Sequence, residues 1–390
     1  VNRHAFLSAI CAEPNEMVHR LVYADWLDEH GEAARAEFIR LQVRRDGLPA
    51  EHPLVRWSIS REAELLEVHG VTWLADLPPG LERPRWHRGF VEEIRTSPAQ
   101  WVLRHTEIRE KTPICRLRLT TLQQVSELVD AQPERLAASL AGIEHLDLND
   151  DPLTDGIGAA FLDLPEFPRL KSLYLRRQHL SPAGLEVLGT SGLLTSLDTL
   201  EIGFGGTTMN ALSDLEPLLY SPELGKLRSL RLRGSLGGFN YFTWINPPLL
   251  AASLERLCLS HCQLRAQELD RILVISLPRL QALDLSFNAM GPEAVKAVDA
   301  LQDCPLRWLN LSRTLLGDDG ATQLANSPFF TQLHGLDLSL NRIGSAGGRA
   351  LAQSDKLTAI QMLDLIYNHF DEATEEALVA RYGKALWLDR

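Results

Sequence analysis

Cysteine and histidine set close together raise metal binding first, and Cys258, His261 and Cys262 form such a group. A zinc site takes four ligands and often shows a Cys-x2-Cys pair. That pair is absent, so the sulfurs are expected to serve structure. Paired carboxylates suggest acid–base work, and Asp25, Asp28 and Glu29 share the segment YADWLDEH at three- and four-residue spacing. The same spacing describes a solvated helix face. The acids are expected to meet water or pair with Arg20 or Arg35, while Tyr23 and Trp26 pack inward; a docking role for this helix is the alternative. The glycine runs GFGG (203–206) and GSLGG (234–238) spell no dinucleotide fingerprint, and Gly225-Lys226 is followed by Leu227 rather than Ser or Thr. No Gly-x-Ser-x-Gly elbow or His-Glu-x-x-His helix is present. No catalytic residue, metal site or cofactor is therefore expected, and the chain is read as a non-enzyme.

Composition narrows the classes further. Hydrophobic residues at 45% and charged residues at 23% fit a globular chain and exclude wholesale disorder. No run of about 18 apolar residues exists to span a membrane. Lys and Arg number 39 against 51 Asp and Glu, a net charge of −12, which argues against general nucleic-acid binding. The start, VNRHAFLSAICAEPNE, does not read as a signal peptide. Five cysteines at irregular spacing fit a reducing interior. A cytoplasmic protein is expected, with a monomer as its expected state.

What must position these residues is a repeat. ICRLRL (114–119) and IEHLDL (143–148) are followed by LKSLYL (170–175), LDTLEI (197–202), LRSLRL (227–232), LERLCL (254–259) and LQALDL (280–285). LRWLNL (306–311), LHGLDL (333–338) and IQMLDL (360–365) complete the series, with steps of 26 to 30 residues. Within Leu-x-Leu the alternation sends both leucines to one face of a short strand and the residue between them to the other. Counting the first Leu as one, Asn288, Asn341 and Asn368 fall at position nine, where an amide can hydrogen-bond the turning backbone. Gly291, Gly317 and Gly344 stand at the helix entry, where glycine permits close approach. No single repeat can bury its own leucines, so neighbours must stack.

This spelling, Leu-x-x-Leu-x-Leu-x-x-Asn-x-Leu and then an amphipathic helix, resembles the leucine-rich repeat family, in particular the longer strand–helix class typified by ribonuclease inhibitor. The resemblance implies an α/β fold: a right-handed solenoid with a parallel sheet on its concave side and helices on its convex side. Position nine departs from Asn at Asp151, Gln178, Gly205, Ser235, Cys262 and Thr314, so those turns need another hydrogen-bond solution.

The expected domains are a helical unit (1–80), an N-terminal cap (81–113), about ten repeats (114–370) and a C-terminal cap (371–390). Four helices are predicted in the first, the second closed by Gly31, and a strand over about 89–95 in the cap. RLVYADWLDEHG followed by RAEFIRLQ resembles a companion domain at the N-terminus of repeat proteins in planctomycete-type bacteria. That resemblance implies no chemistry.

Positions three, five, seven and eight are expected to face the concavity. Ten strands about 4.8 Å apart make a face about 43 Å long, enough for a standard protein interface. Arg176, Arg177, Arg231, Arg233 and Arg256 gather in its middle, with Tyr174, Phe204, Phe287 and Tyr367 interleaved. Arginine and aromatics are the types that anchor interfaces. Asp284, Asp337 and Asp364 dominate the C-terminal half and also fit plain scaffold. The aromatics of SLGGFNYFTWINPP (Phe239, Tyr241, Phe242, Trp244) are expected to refill core, or else to form a hot spot. The leading expectation is a non-catalytic protein–protein interaction scaffold binding an unidentified protein, and neither nucleic acid nor membrane. The alternative is a regulator acting in trans on a GTPase-type partner from the rim, through Asn310, Arg313 or Asn341. A hydrolase built on Asp25 and Asp28 ranks last.

Overall fold

The computed structural model describes residues 2–46, 48, 53–149, 169–178, 181–204, 215–234, 248–273, 276–301 and 304–388. They fall into two compact units, residues 1–174 and 175–390.

The first unit opens with the four expected helices, α1 (Arg3–Ala12), α2 (Met17–Glu29), α3 (Ala33–Arg45) and α4 (Pro53–Leu74). Gly31 ends α2 with φ +80°; its N–H reaches the Asp28 carbonyl and that of Glu32 reaches Leu27, a Schellman pair that satisfies the last turn. Next come β1 (Glu82–His87) and β2 (Phe90–Thr96), an antiparallel hairpin turned at Arg88 and Gly89, with φ of +49° and +87°. Two positive φ values in a two-residue loop are the type I′ pattern that suits strand twist. A Cβ on Gly89 would stand 2.6 Å from the Ile39 side chain, so the turn lies directly on α3.

Side chains from the helices satisfy that turn. Arg20 Nη1 donates to the Arg88 carbonyl at 2.9 Å, Arg35 Nη2 to the Gly89 carbonyl at 2.5 Å, and the Gly89 N–H to Gln42 Oε1 at 2.8 Å. Beneath it Glu92, fully buried, pairs with Arg20 at 2.7 Å and with Arg88 at 2.6 Å. Ile10, Tyr23, Leu27, Ile39 and Phe90 form one continuous cluster, so the helices and the hairpin share a core. The unit continues through α5 (Pro98–Arg109), β3 (Arg116–Leu119), α6 (Gln123–Ala131), α7 (Pro133–Leu140), β4 (His145–Asp147) and the start of β5 (Ser172–Gln178). From β2 onward the strands are parallel, with Leu117, Leu146 and Leu173 in register.

The second unit takes up the end of β5 and repeats one strand per leucine motif. These are β6 (Thr199–Phe204), β7 (Ser229–Arg233), β8 (Arg256–Cys258), β9 (Ala282–Asp284), β10 (Trp308–Asn310), β11 (Gly335–Asp337), β12 (Met362–Asp364) and β13 (Leu386–Trp387). All pairs from β6 to β13 are parallel, and position four stays in line from Leu200 to Leu363 and Leu386. Helices run back between strands: α8 (Pro182–Gly189), α9 (Glu216–Leu219), α10 (Pro248–Ser253), α11 (Ala266–Leu273), α12 (Glu293–Asp299), α13 (Gly317–Asn326), α14 (Ser345–Gln353) and α15 (Glu372–Tyr382). Leucines at positions one, four and six are buried from strand to strand, as at Leu280, Leu283 and Leu285. That burial is the main drive for stacking.

Position nine ties each repeat to the one before it. Asn288 Nδ2 donates to the Leu259 carbonyl of the preceding repeat and to Leu285 of its own, both at 2.8 Å, while Oδ1 accepts from the N–H groups of Cys262 and Leu264. Asn341 and Asn368 repeat the pattern. Where Asn is missing, Cys262 reaches the Leu232 carbonyl at 3.2 Å, and Thr314 donates its hydroxyl to Leu311 in its own repeat at 2.7 Å and to Asn341 Oδ1 of the next at 3.1 Å. The glycines at the helix entry do not share one role. Gly291 and Gly317 have φ of +69° and +59°, whereas Gly344 does not and is instead packed on Asp318.

Candidate functional site

In six repeats position eight shares one backbone conformation. Thr121, His261, Phe287, Arg313, Leu340 and Tyr367 all have φ between 56° and 60° or just below, at 55° for Arg313. Bulky residues avoid this left-handed region unless surroundings impose it. Here the imposing contacts are between repeats: the N–H of His261 bonds the Ser286 carbonyl, Phe287 bonds Ser312, Arg313 bonds Ser339, and Leu340 bonds Ile366. The turn throws each side chain outward, and three consecutive ones stack. His261 and Phe287 lie with centroids 4.0 Å apart at 19°, and the Arg313 guanidinium sits 5.3 Å from the other neighbour's ring, that of Phe287. Leu340 and Tyr367 continue the row, 39% and 63% exposed.

Position five forms a second row, Cys258, Asp284, Asn310, Asp337 and Asp364, in direct register. Each acid, and Asn310, turns Oδ1 back to the backbone N–H two residues on: Ser286, Ser312, Ser339 and Ile366, at 2.8–3.0 Å. The aspartates thus serve the turn. Burial pushes the Asp337 carboxyl up to about 6, with Asp364 and Asp284 adding repulsion against the Ser339 hydrogen bonds.

The basic centre is only partly free. Glu201 at position five of β6 is fully buried; it accepts from Arg176 Nε and Nη2 at 2.5 and 3.0 Å, and Arg233 Nε stands 3.2 Å away. Arg231 is half-buried and makes no hydrogen bond or ion pair among the described residues, and Arg256 is exposed on β8. Tyr174 belongs to the first unit, and the side chains of Arg177 and Phe204 lie outside the described residues. So do Phe239, Tyr241, Phe242 and Trp244. Glu201 was missed as an organising anion; the signal was an acid at position five flanked by arginines at position seven of both neighbours.

Several expectations are corrected. Positions three and seven are not uniformly open. Trp308 is 9% exposed and covers Gly335, whose Cβ would lie 2.0 Å from its ring, while Ser260, Ser286 and Ser312 are buried. Asn341 cannot serve a rim, being buried and fully engaged in the inter-repeat bonds. Asp25 and Asp28 pair with Arg40, each at 2.6 Å, not with Arg20 or Arg35, which instead bond the carbonyls of the hairpin turn. Cys262 is buried in the ladder with its thiol pushed up by burial, and Cys258 donates to Asp284 Oδ2 at 3.3 Å. Among the described residues no group of three or more His, Cys, Asp or Glu is placed to hold a metal, and no helix is long and apolar enough to cross a membrane.

A family model described as "Leucine Rich repeat" matches residues 277–298 and 332–352. Among solved structures, a chain of the yeast Rad7–Elc1 complex is similar at 15% identity and TM-score 0.51, over 92% of this chain and 87% of that one. LegL7 of Legionella pneumophila, itself a leucine-rich repeat-containing protein, is 18% identical over 76% of this chain and 89% of its own, with TM-score 0.46. At these identities the yeast likeness speaks for fold alone. The recurring motif, the inter-repeat asparagines, the strand-per-repeat sheet and the family match over those two segments agree on a leucine-rich repeat fold.

Proposed function

We propose that this chain is a non-catalytic protein-interaction scaffold whose partner lies along the outward row of strands β7 to β12. The observation that carries the reading is the stack His261–Phe287–Arg313, continued by Leu340 and Tyr367. An aromatic and guanidinium row held by backbone bonds loses little entropy on binding, and such residues anchor interfaces. Arg231 and Arg256 flank it with charge available to a partner. Arg176, Arg177, Phe204 and Arg233 stay in the proposal as periphery, with Arg176 and Arg233 held by Glu201. The chain of similar fold in yeast comes from a complex of two proteins, which is in keeping with this use of the fold. Action on a GTPase-type partner keeps only Arg313 of its stated rim residues unspent by turn or ladder, so no observation favours it. We place the protein in the cytoplasm, as a member of the longer strand–helix repeat class.

The test is affinity capture from the native extract with the full chain as bait, followed by calorimetry with the purified partner. A bait carrying Arg231→Glu, Phe287→Ala and Tyr367→Ala, with its circular dichroism unchanged, is expected to lose the partner. Equal capture by both baits rejects the row.

A further inference from the structure

A cavity of about 290 Å³ lies in the first unit. Tyr23, Trp73, Trp86 and Phe90 wall it, and Arg35 reaches it from α3. The Arg35 guanidinium lies 4.7 Å from the ring centroids of both Trp73 and Trp86 and 5.4 Å from that of Phe90. Stacking of this kind holds the group in place. Its Nη2 is committed to the Gly89 carbonyl, but its Nη1 is buried and has no acceptor among the described residues. A charged donor buried without an acceptor is costly, and natural cores rarely leave one.

The acids around the cavity do not supply that acceptor. Glu32 and Asp76 pair with Arg3, the second at 3.8 Å. Burial pushes the Arg35 guanidinium down to about 10, as fits a cation short of compensation. The charged groups on the lining balance: Arg3, Arg35 and Lys111 against Glu32, Asp76 and Glu110. A balanced lining tolerates one added negative charge better than the two of a phosphate monoester. Apart from His4 and Thr112, the rest of the wall is apolar or aromatic, with Leu7 on the α1 side.

We propose that this cavity binds a carboxylate carried on an aromatic or aliphatic body, the carboxylate oxygens accepting from Arg35 Nη1 and the body lying against Trp73 and Leu7. The same chemistry is offered by a free carboxylic acid and by the C-terminal residue of a protein chain.

Calorimetry on the full chain tests this with 4-phenylbutyrate and its neutral amide, and with a pentapeptide ending in Phe as free acid or amide. The expected result is saturable binding of at least one acid, with the matching amide at least about tenfold weaker. Tighter binding of the peptide acid identifies a protein terminus as the source, and tighter binding of phenylbutyrate a free acid. Arg35→Gln is expected to remove binding about tenfold or more, and Leu7→Trp, which leaves Arg35 in place, to block it by filling the cavity. Acid and amide binding alike, no saturation up to about 10 mM, or acid binding that survives Leu7→Trp overturns the proposal. The wild-type acid-to-amide ratio decides if Arg35→Gln does not fold.

Discussion

Glu201 is buried beneath Arg176, its two carboxylate oxygens 2.5 and 3.0 Å from Nε and Nη2, and Arg233 approaches the same carboxylate from the strand on the other side. Two guanidiniums on β5 and β7 are thereby tied across β6. Their outer parts remain in water, with side chains 44% and 37% exposed. Both can turn back to solvent when the anion is lost. We expect Glu201→Gln to destabilise by about 1–2 kcal/mol, below the cost of breaking a fully buried pair. Urea unfolding checks this, and combining it with Arg176→Met should give less than the sum of the two effects.

Asn341 makes bonds to two repeats from one amide. Asn341→Ala leaves the Thr314 and Leu316 N–H groups without their side-chain acceptor in a buried place, while the Leu311 carbonyl keeps only the Thr314 hydroxyl. The expected loss is about 2–4 kcal/mol, read from the midpoint of chemical unfolding. A loss under about 0.5 kcal/mol would show that water fills the gap.

Asp337 gives stability a definite pH slope. Its carboxyl binds protons more tightly folded, near 6, than in the unfolded chain, near 3.8. Its contribution is therefore full below pH 4 and lost as pH rises through 6. Asp337→Asn keeps the turn acceptor, as Asn310 does for Ser312 at 2.8 Å, and removes the charge. The variant should match the wild type near pH 4 and exceed it by about 1–2 kcal/mol at pH 7. Thermal unfolding at the two pH values measures the difference, and an equal gap at both contradicts the assignment.

Phe287 separates binding from backbone strain. At φ +59° any L side chain is disfavoured, so Phe287→Gly should be more stable than Phe287→Ala by about 0.5–1 kcal/mol. Both lose the stack on His261, and both should bind the captured partner at least about tenfold more weakly. Retained affinity in both variants excludes Phe287 from the interface.

The repeat period, strand register and buried leucines were legible because each copy spells the same inward face. The equivalence of Cys262 to an asparagine was legible for the same reason. Position eight was not. Its left-handed backbone is imposed by bonds to the next repeat, and His261, Phe287, Arg313 and Leu340 carry no glycine-like signature to reveal it. Strand β1 was missed because ERPRWH lacks apolar alternation and carries a proline; it is held by its partner strand and the turn at Gly89. The partnership of Arg35 with that turn joins residues 54 apart in the chain, and local pattern carries no trace of it.

The left-handed turns at position eight have an evolutionary consequence. Their geometry is fixed by main-chain bonds to the neighbouring repeat, so the residue mounted there is a replaceable fitting on a fixed rail. Thr121, His261, Phe287, Arg313, Leu340 and Tyr367 already show how varied the fittings can be. A lineage could retune what the protein recognises by exchanging one such residue at a time, leaving the leucines and asparagines beneath untouched.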